Sequence, residues 1–165
     1  MRLQRQWGLN LLESEKKTLS ENLDDFEKRM ERFNCNGEKI ARYLKQHPYI
    51  ARVYQGSLNE EAKASKSWLS GYGSIVCFEL KSDNLNSLCL FYDHHPPPVL
   101  KAPSLGSNRT LVCPYPLLAH YHESPSFFGI HGFSRHMVRV STGCEENLEP
   151  VLAALDMGLK NVVKG

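Results

Sequence analysis

Val138-Arg139-Val140-Ser141-Thr142-Gly143 is the stretch from which the rest of the chain can be read. Successive side chains of an extended strand leave opposite faces of the pleat. Val138 and Val140 therefore point one way, and Arg139 and Ser141 the other. An arginine in the middle of a strand that runs on toward an apolar helix asks for a partner. A guanidinium fork fits a planar carboxylate or phosphate better than any other side chain does. Two readings stay open from these residues alone: a solvent-facing arginine paired with a nearby Asp or Glu, or a clamp for an anionic ligand.

Working outward, the segment after the turn predicts a helix. Leu148, Val151, Leu152, Leu155 and Leu159 line one face, and Pro150 sits in the first turn, where proline is tolerated. Upstream, Ile50–Tyr54 and Ser74–Leu80 read as strands, and Leu85–Tyr92 as a short helix. His94-His95-Pro96-Pro97-Pro98 is read as a loop, and Val99–Pro103 as an edge strand, where a missing amide donor matters least. Thr110–Ala119 is apolar but broken by Pro114 and Pro116, and Tyr121–Phe133 is read as an irregular loop. Farther upstream, Phe26, Met30, Phe33, Gly37, Ile40 and Leu44 recur at steps of four and three. That is the face of a long amphipathic helix, started by Asn22, Asp24 and Asp25 and ended at His47-Pro48. Gly37 on that face predicts a close contact with another helix. Residues 1–20 are polar, with Leu9, Leu11 and Leu12 as their apolar cluster, and read as a leader or a remnant of another element. A short helix is expected around Glu60–Lys66. Helices and strands interspersed without a regular crossover predict an α+β domain, a mostly antiparallel sheet with helices on one face.

The 165 residues, 41% hydrophobic and 23% charged with a net charge of +2, suit one soluble domain. Scattered basic residues give no footprint for nucleic acid or a membrane surface. The five cysteines are odd in number and none are spaced Cys-x-x-Cys. That argues against a disulfide framework or structural zinc and for a reducing, cytoplasmic setting. His120-Tyr121-His122 and the adjacent His94-His95 lack metal-motif spacing, so no metal site is expected. Gly71-Tyr72-Gly73 lacks the third glycine of a nucleotide fingerprint and reads as a turn. Cys144, before the last helix, has no histidine assigned to activate it. The residues themselves thus offer a cationic anchor and a serine-glycine turn, without a nucleophile or a cofactor lysine in a recognisable setting.

Three ordered motifs carry a resemblance: Gly71–Phe78, Ser104-Leu105-Gly106, and Val138–Gly143 followed by acidic residues and an apolar helix. Together they resemble the C-terminal domain of the Cys/Met-metabolism family, pyridoxal-phosphate enzymes of fold type I. Pro103–Tyr115 and Leu117–Glu123 look most like the fungal type of cystathionine γ-synthase. The likeness is read from about Asp24 onward. It implies the small C-terminal domain over residues 21–165. It also implies that Arg139 clamps the α-carboxylate of an amino-acid substrate, with Ser104 and Leu105 beside it. Ser107 and Arg109 depart from the family pattern, standing where many bacterial members have glycine and an acid.

The family's Schiff-base lysine belongs to a cofactor domain that would lie before Met1, and none of the eleven lysines sits in its motif. The expectation is therefore a truncated or split cystathionine γ-synthase-like protein with no catalytic residue of its own. In the family's reaction cysteine replaces the γ-substituent of an activated homoserine ester. Alone, the chain is expected to bind pyridoxal phosphate weakly or not at all. Two alternatives stand beside it: a non-catalytic module that docks onto a full-length relative or separate cofactor domain, and a γ-replacement enzyme of secondary metabolism.

Overall fold

Residues 11–59 and 68–162 are described in the structure, a computed structural model; Leu9 and the helix expected at Glu60–Lys66 lie outside them. Two helices precede the first strand: α1, Glu13–Leu23, and α2, Phe26–Gln46. Residues 13–20 are thus helical. α1 buries no residue, so no apolar periodicity announces it. It is held by local charge: Glu15 accepts the Leu12 amide at 2.7 Å, and Lys17 pairs with Glu21 at 3.8 Å, one turn on. The chain breaks at Asp24-Asp25, and α2 ends at His47, as the following proline requires.

The apolar face of α2 is buried only from its second third onward, through Phe33, Gly37, Ile40, Ala41 and Leu44. Phe26 and Met30, on the same predicted face, are exposed. Gly37 does mark a close approach, but not to a helix. A Cβ there would collide with the carbonyl oxygen of Gly73, which has φ +79° in the Gly71-Tyr72-Gly73 turn.

Five strands form one sheet in the order β1-β2-β5-β4-β3. They are β1, Ile50–Tyr54; β2, Ile75–Leu80; β3, Leu100–Lys101; β4, Leu111–Cys113; and β5, Val138–Ser141. Every pairing is antiparallel except β3 with β4. The Arg139 strand is therefore the middle of the sheet, and the expected edge strand is an edge. Val76, Phe78, Val112, Val138 and Val140 face one way and are fully buried. Against them pack Ile40 and Leu44 of α2, Leu88 and Phe91 of α3 (Leu85–His94), and Val151, Leu155 and Leu159 of α6 (Glu149–Asn161). Phe78 and Phe91 meet edge to face at 5.4 Å.

Two expectations need correction on the other side of the sheet. The segment after β4 forms a short helix, α4, Tyr115–Ala119, with Pro116 in its first turn. Tyr121–Phe133 is not an irregular loop, because Pro125–His131 forms helix α5. Its signals were in the chain: Ser124-Pro125 opens it, and Gly132, at φ 71°, ends it in the left-handed region. Seven residues are too few for a helical period to stand out. His94, read as loop, closes α3.

The sheet end that leads into β5 is tied by a buried carboxylate. Glu79 accepts from Arg52 Nε at 2.7 Å, Tyr54 Oη at 2.9 Å and the Ser134 amide at 2.8 Å. Both oxygens are satisfied, so this acid has a structural role. Among the described residues no helix is long and apolar enough to cross a membrane.

Gly37→Ala tests the helix–turn contact. The added methyl meets backbone that cannot rotate away, so the variant should lose about 1–3 kcal/mol. A urea unfolding midpoint equal to that of the parent chain would refute the tight approach.

Candidate functional site

β5 places Arg139 by register. Cys77 of β2 and Cys113 of β4 are its direct partners on either side. Side chains opposite one another across a ladder share a face, so Arg139 stands between two thiols, on the face away from the helix-covered core. The row behind it is Ile75, Ser141 and Leu111.

Arg139 is only 9% exposed. Its Nη2 donates to the carbonyl oxygen of Pro103 at 2.7 Å and to that of Ser104 at 3.3 Å. Its Cζ lies 4.6 Å from the centroid of the Tyr115 ring. A cation stacked on an aromatic ring away from water gains about 2 kcal/mol. Nε is buried and has no hydrogen-bond partner, and the same holds for the Ser141 hydroxyl on the same strand face. Among the described residues no carboxylate pairs with Arg139. Ser104 and Leu105 are both exposed, and Ser104 meets the arginine through its backbone. The structure therefore brings Arg139 and the 103–104 backbone together and leaves the Leu105 side chain in solvent.

The turn after β5 is fixed from three directions. The Thr110 hydroxyl accepts the Gly143 amide at 3.0 Å. Glu145 in turn accepts the Thr110 amide at 2.6 Å and its hydroxyl at 3.0 Å. Asn36, on the buried side of α2, donates to the Gly143 and Glu145 carbonyls, both at 3.0 Å. A Cβ on Gly143 would come within 2.5 Å of the Asn108 carbonyl oxygen. Sequence reading missed Tyr115, Cys77, Cys113 and Asn36. Only the register could assign the two cysteines to Arg139, and a polar residue on an apolar helix face was the one visible sign of Asn36.

Neither flanking thiol is primed for chemistry. Burial pushes Cys77 up to about 11, with the nearby Arg139 pulling the other way. Burial also raises Cys113, again against Arg139. Cys144 is partly exposed and its sulfur lies 3.4 Å from Asn108 Oδ1. The histidines do not converge. His95 is buried, and burial is the main cause of its lowered pKa. His120 stacks on Phe127 at 5.3 Å. Among the described residues no three His, Cys, Asp or Glu side chains gather as a metal site would require.

An α+β domain with this sheet matches the small C-terminal-type subdomain of fold-type-I pyridoxal-phosphate enzymes. The family model for Cys/Met metabolism PLP-dependent enzymes matches residues 2–160, so the chain belongs to that family. The match begins well before Asp24, where the sequence motifs had placed it. Among curated relatives the chain is 36% identical to the cystathionine γ-synthase of Neurospora crassa, over 77% of this chain and 20% of that protein. It is 31% identical to the L-methionine γ-lyase of Fusobacterium nucleatum subsp. polymorphum, over 83% of this chain and 34% of the lyase. It also resembles the crystal structure of cystathionine γ-lyase from Lactobacillus plantarum complexed with L-serine. There the TM-score is 0.81 and the identity 26%, over 98% of this chain and 42% of that one. The chain thus spans between a fifth and about two-fifths of these relatives' length.

The family is pyridoxal-phosphate dependent, and the residues present do not fit that cofactor by themselves. Around Arg139 stand the Cys77 and Cys113 thiols, the Ser141 hydroxyl on the same strand face and the Tyr115 ring, and among the described residues no lysine amine is in contact with it. Lys101, on β3, pairs across β4 with the row of Val112 and Val140 and so turns to the helix face. There its amine meets Asp93 and the Tyr92 ring of α3.

Alkylation with iodoacetamide at pH 8 checks the thiols. Cys35 and Cys89 are exposed and should react in the folded chain. A thiol with a pKa near 11 is about one part in a thousand thiolate at that pH, so Cys77 should lag by a factor of a hundred or more. Cys113 should react only on unfolding. Peptide mapping that found Cys77 labelled within about tenfold of the Cys89 rate would contradict this.

Proposed function

We propose that this chain supplies the substrate-carboxylate part of a pyridoxal-phosphate-dependent γ-replacement site of the fungal cystathionine γ-synthase type. The observation that carries the reading is Arg139: a buried guanidinium with no carboxylate partner among the described residues and a free Nε–H. A buried charge without a counter-ion is costly, and a bound carboxylate would supply both the counter-charge and the missing acceptor. The Pro103-Ser104-Leu105 segment, tied to Nη2 through two carbonyls, forms the adjacent wall. Domain 21–165 is on this reading the binding half, and the electron sink belongs to a lysine-bearing half outside it. The whole reaction would replace the γ-substituent of an activated homoserine ester with cysteine, which is cystathionine synthesis.

L-Cystathionine added to the 15N-labelled chain should move the Arg139 Nε–H resonance saturably. Arg139→Gln should abolish the effect, and cystathionine with both carboxylates converted to amides should not produce it. An unmoved resonance sinks the reading. On the cofactor side, incubation with pyridoxal phosphate and borohydride should give no stoichiometric pyridoxyl adduct. One lysine carrying one adduct per chain would overturn the claim that the catalytic amine lies elsewhere.

A second reading, a module that docks onto a full-length relative or a separate cofactor domain, is favoured by a specific surface. Phe26 and Met30 line a depression of about 600 Å³ along the first half of α2. Leu12, Leu19 and Leu23 around α1, and Trp68-Leu69, are also exposed. Co-expression with a full-length relative should yield a complex that Phe26→Asp with Met30→Asp breaks. Failure to co-purify would remove this reading.

A further inference from the structure

Arg139 is held by two constraints of different kinds. Its Nη2 is fixed by the Pro103 and Ser104 carbonyls at 2.7 and 3.3 Å. Its Cζ also lies over the Tyr115 ring, 4.6 Å from the centroid. Hydrogen bonds from one nitrogen pin that end of the fork but leave the plane free to tilt about it. A ring packed against the guanidinium limits that tilt.

We propose that Tyr115 is a positioning residue: its ring sets the plane of the Arg139 guanidinium, and so the direction from which the free Nε–H edge meets a planar carboxylate. The inference rests on the carboxylate reading for the identity of the ligand. It rests on geometry alone for the orientation of the arginine.

Three features point to the ring as a brace rather than as packing. Tyr115 is 39% exposed while Arg139, whose Cζ it covers, is 9% exposed, so the ring stands between the arginine and solvent. The Tyr115 hydroxyl makes no hydrogen bond among the described residues, which leaves the aromatic face as its working part. The ring is also backed from behind. His120 meets it edge-on at 6.1 Å and stacks on Phe127 at 5.3 Å, and Phe127 contacts His131 at 4.5 Å. Helices α4 and α5 thereby carry a line of rings from the surface to the arginine.

The test uses the full chain, 15N-labelled, with L-cystathionine as the probe. Arg139→Lys assigns the Nε–H signal by removing it. In the parent chain and in Tyr115→Phe, Arg139 should give one sharp resonance displaced by the ring current. In Tyr115→Leu the displacement should vanish, and exchange with water should quicken about tenfold. Cystathionine affinity should fall about fivefold or more in that variant, with the unfolding midpoint little changed. Should Tyr115→Leu not fold, Tyr115→Met keeps the bulk without the ring and is read the same way. Unchanged shift and exchange in the ringless variant would overturn the proposal. If cystathionine leaves even the parent resonance unmoved, the carboxylate reading falls. The positioning role is then decided by the ligand-free spectra alone.

Discussion

The interaction on which the site depends is a guanidinium buried in the middle of a sheet without a carboxylate beside it among the described residues. Such a charge is expensive to remove from water, and neutral groups offset only part of the cost. Here the offset comes from the Pro103 and Ser104 carbonyls and from the electron-rich face of Tyr115. All three sit on the C-terminal side of β3 or β4, so the charge dictates where two loops must lie. The part of the sheet face around Arg139 is organised by that cation, whereas the opposite face is organised by apolar area.

That constraint explains why the turn after β5 is so fully bonded. Gly143 has no room for a side chain, and its amide, its carbonyl and the neighbouring Glu145 carbonyl are all engaged. Thr110 and Glu145 close a small network between the start of β4 and the end of β5. Asn36 connects the same turn to α2, which is itself pressed against Gly73 through Gly37. The Gly71–Gly73 turn, the strand carrying the arginine and the long helix are therefore one mechanical unit. Two of the three sequence motifs, Gly71–Phe78 and Val138–Gly143, meet through this unit.

Much of this was legible in the chain, for identifiable reasons. The β5 alternation placed Arg139 opposite the valine core before any coordinates. Pro48, Pro150 and Gly37 each marked what they mark in the structure, a helix end, a helix start and a close approach. What period could not supply was a partner. Gly37 was assigned to a helix and meets a turn. Asn36 lies next to it on the buried face and was passed over as polar. Helix α1 was missed because charges, not an apolar stripe, hold it together, and α5 because seven residues span barely two turns. The link from Arg139 to Tyr115 crosses 24 residues of sequence and depends on the β4–β5 register. No local pattern encodes that distance. The family motifs located the arginine, and only the fold could show the ring over it.

Stability and chemistry are separated by the thickness of the sheet. The buried valines of β2, β4 and β5, with α2, α3 and α6, form a continuous core on the face opposite Arg139. The Arg139 face holds groups whose hydrogen-bonding capacity is not used up: Nε of Arg139 and the hydroxyl of Ser141. Unused donors are penalised wherever they are buried, so they persist only where the core can sustain the cost. Glu79, satisfied by three donors at the other end of the sheet, is the contrast: a buried charge that serves the fold alone. The two buried charges thus differ on a single sheet: Glu79 is saturated, and Arg139 keeps a donor to spare.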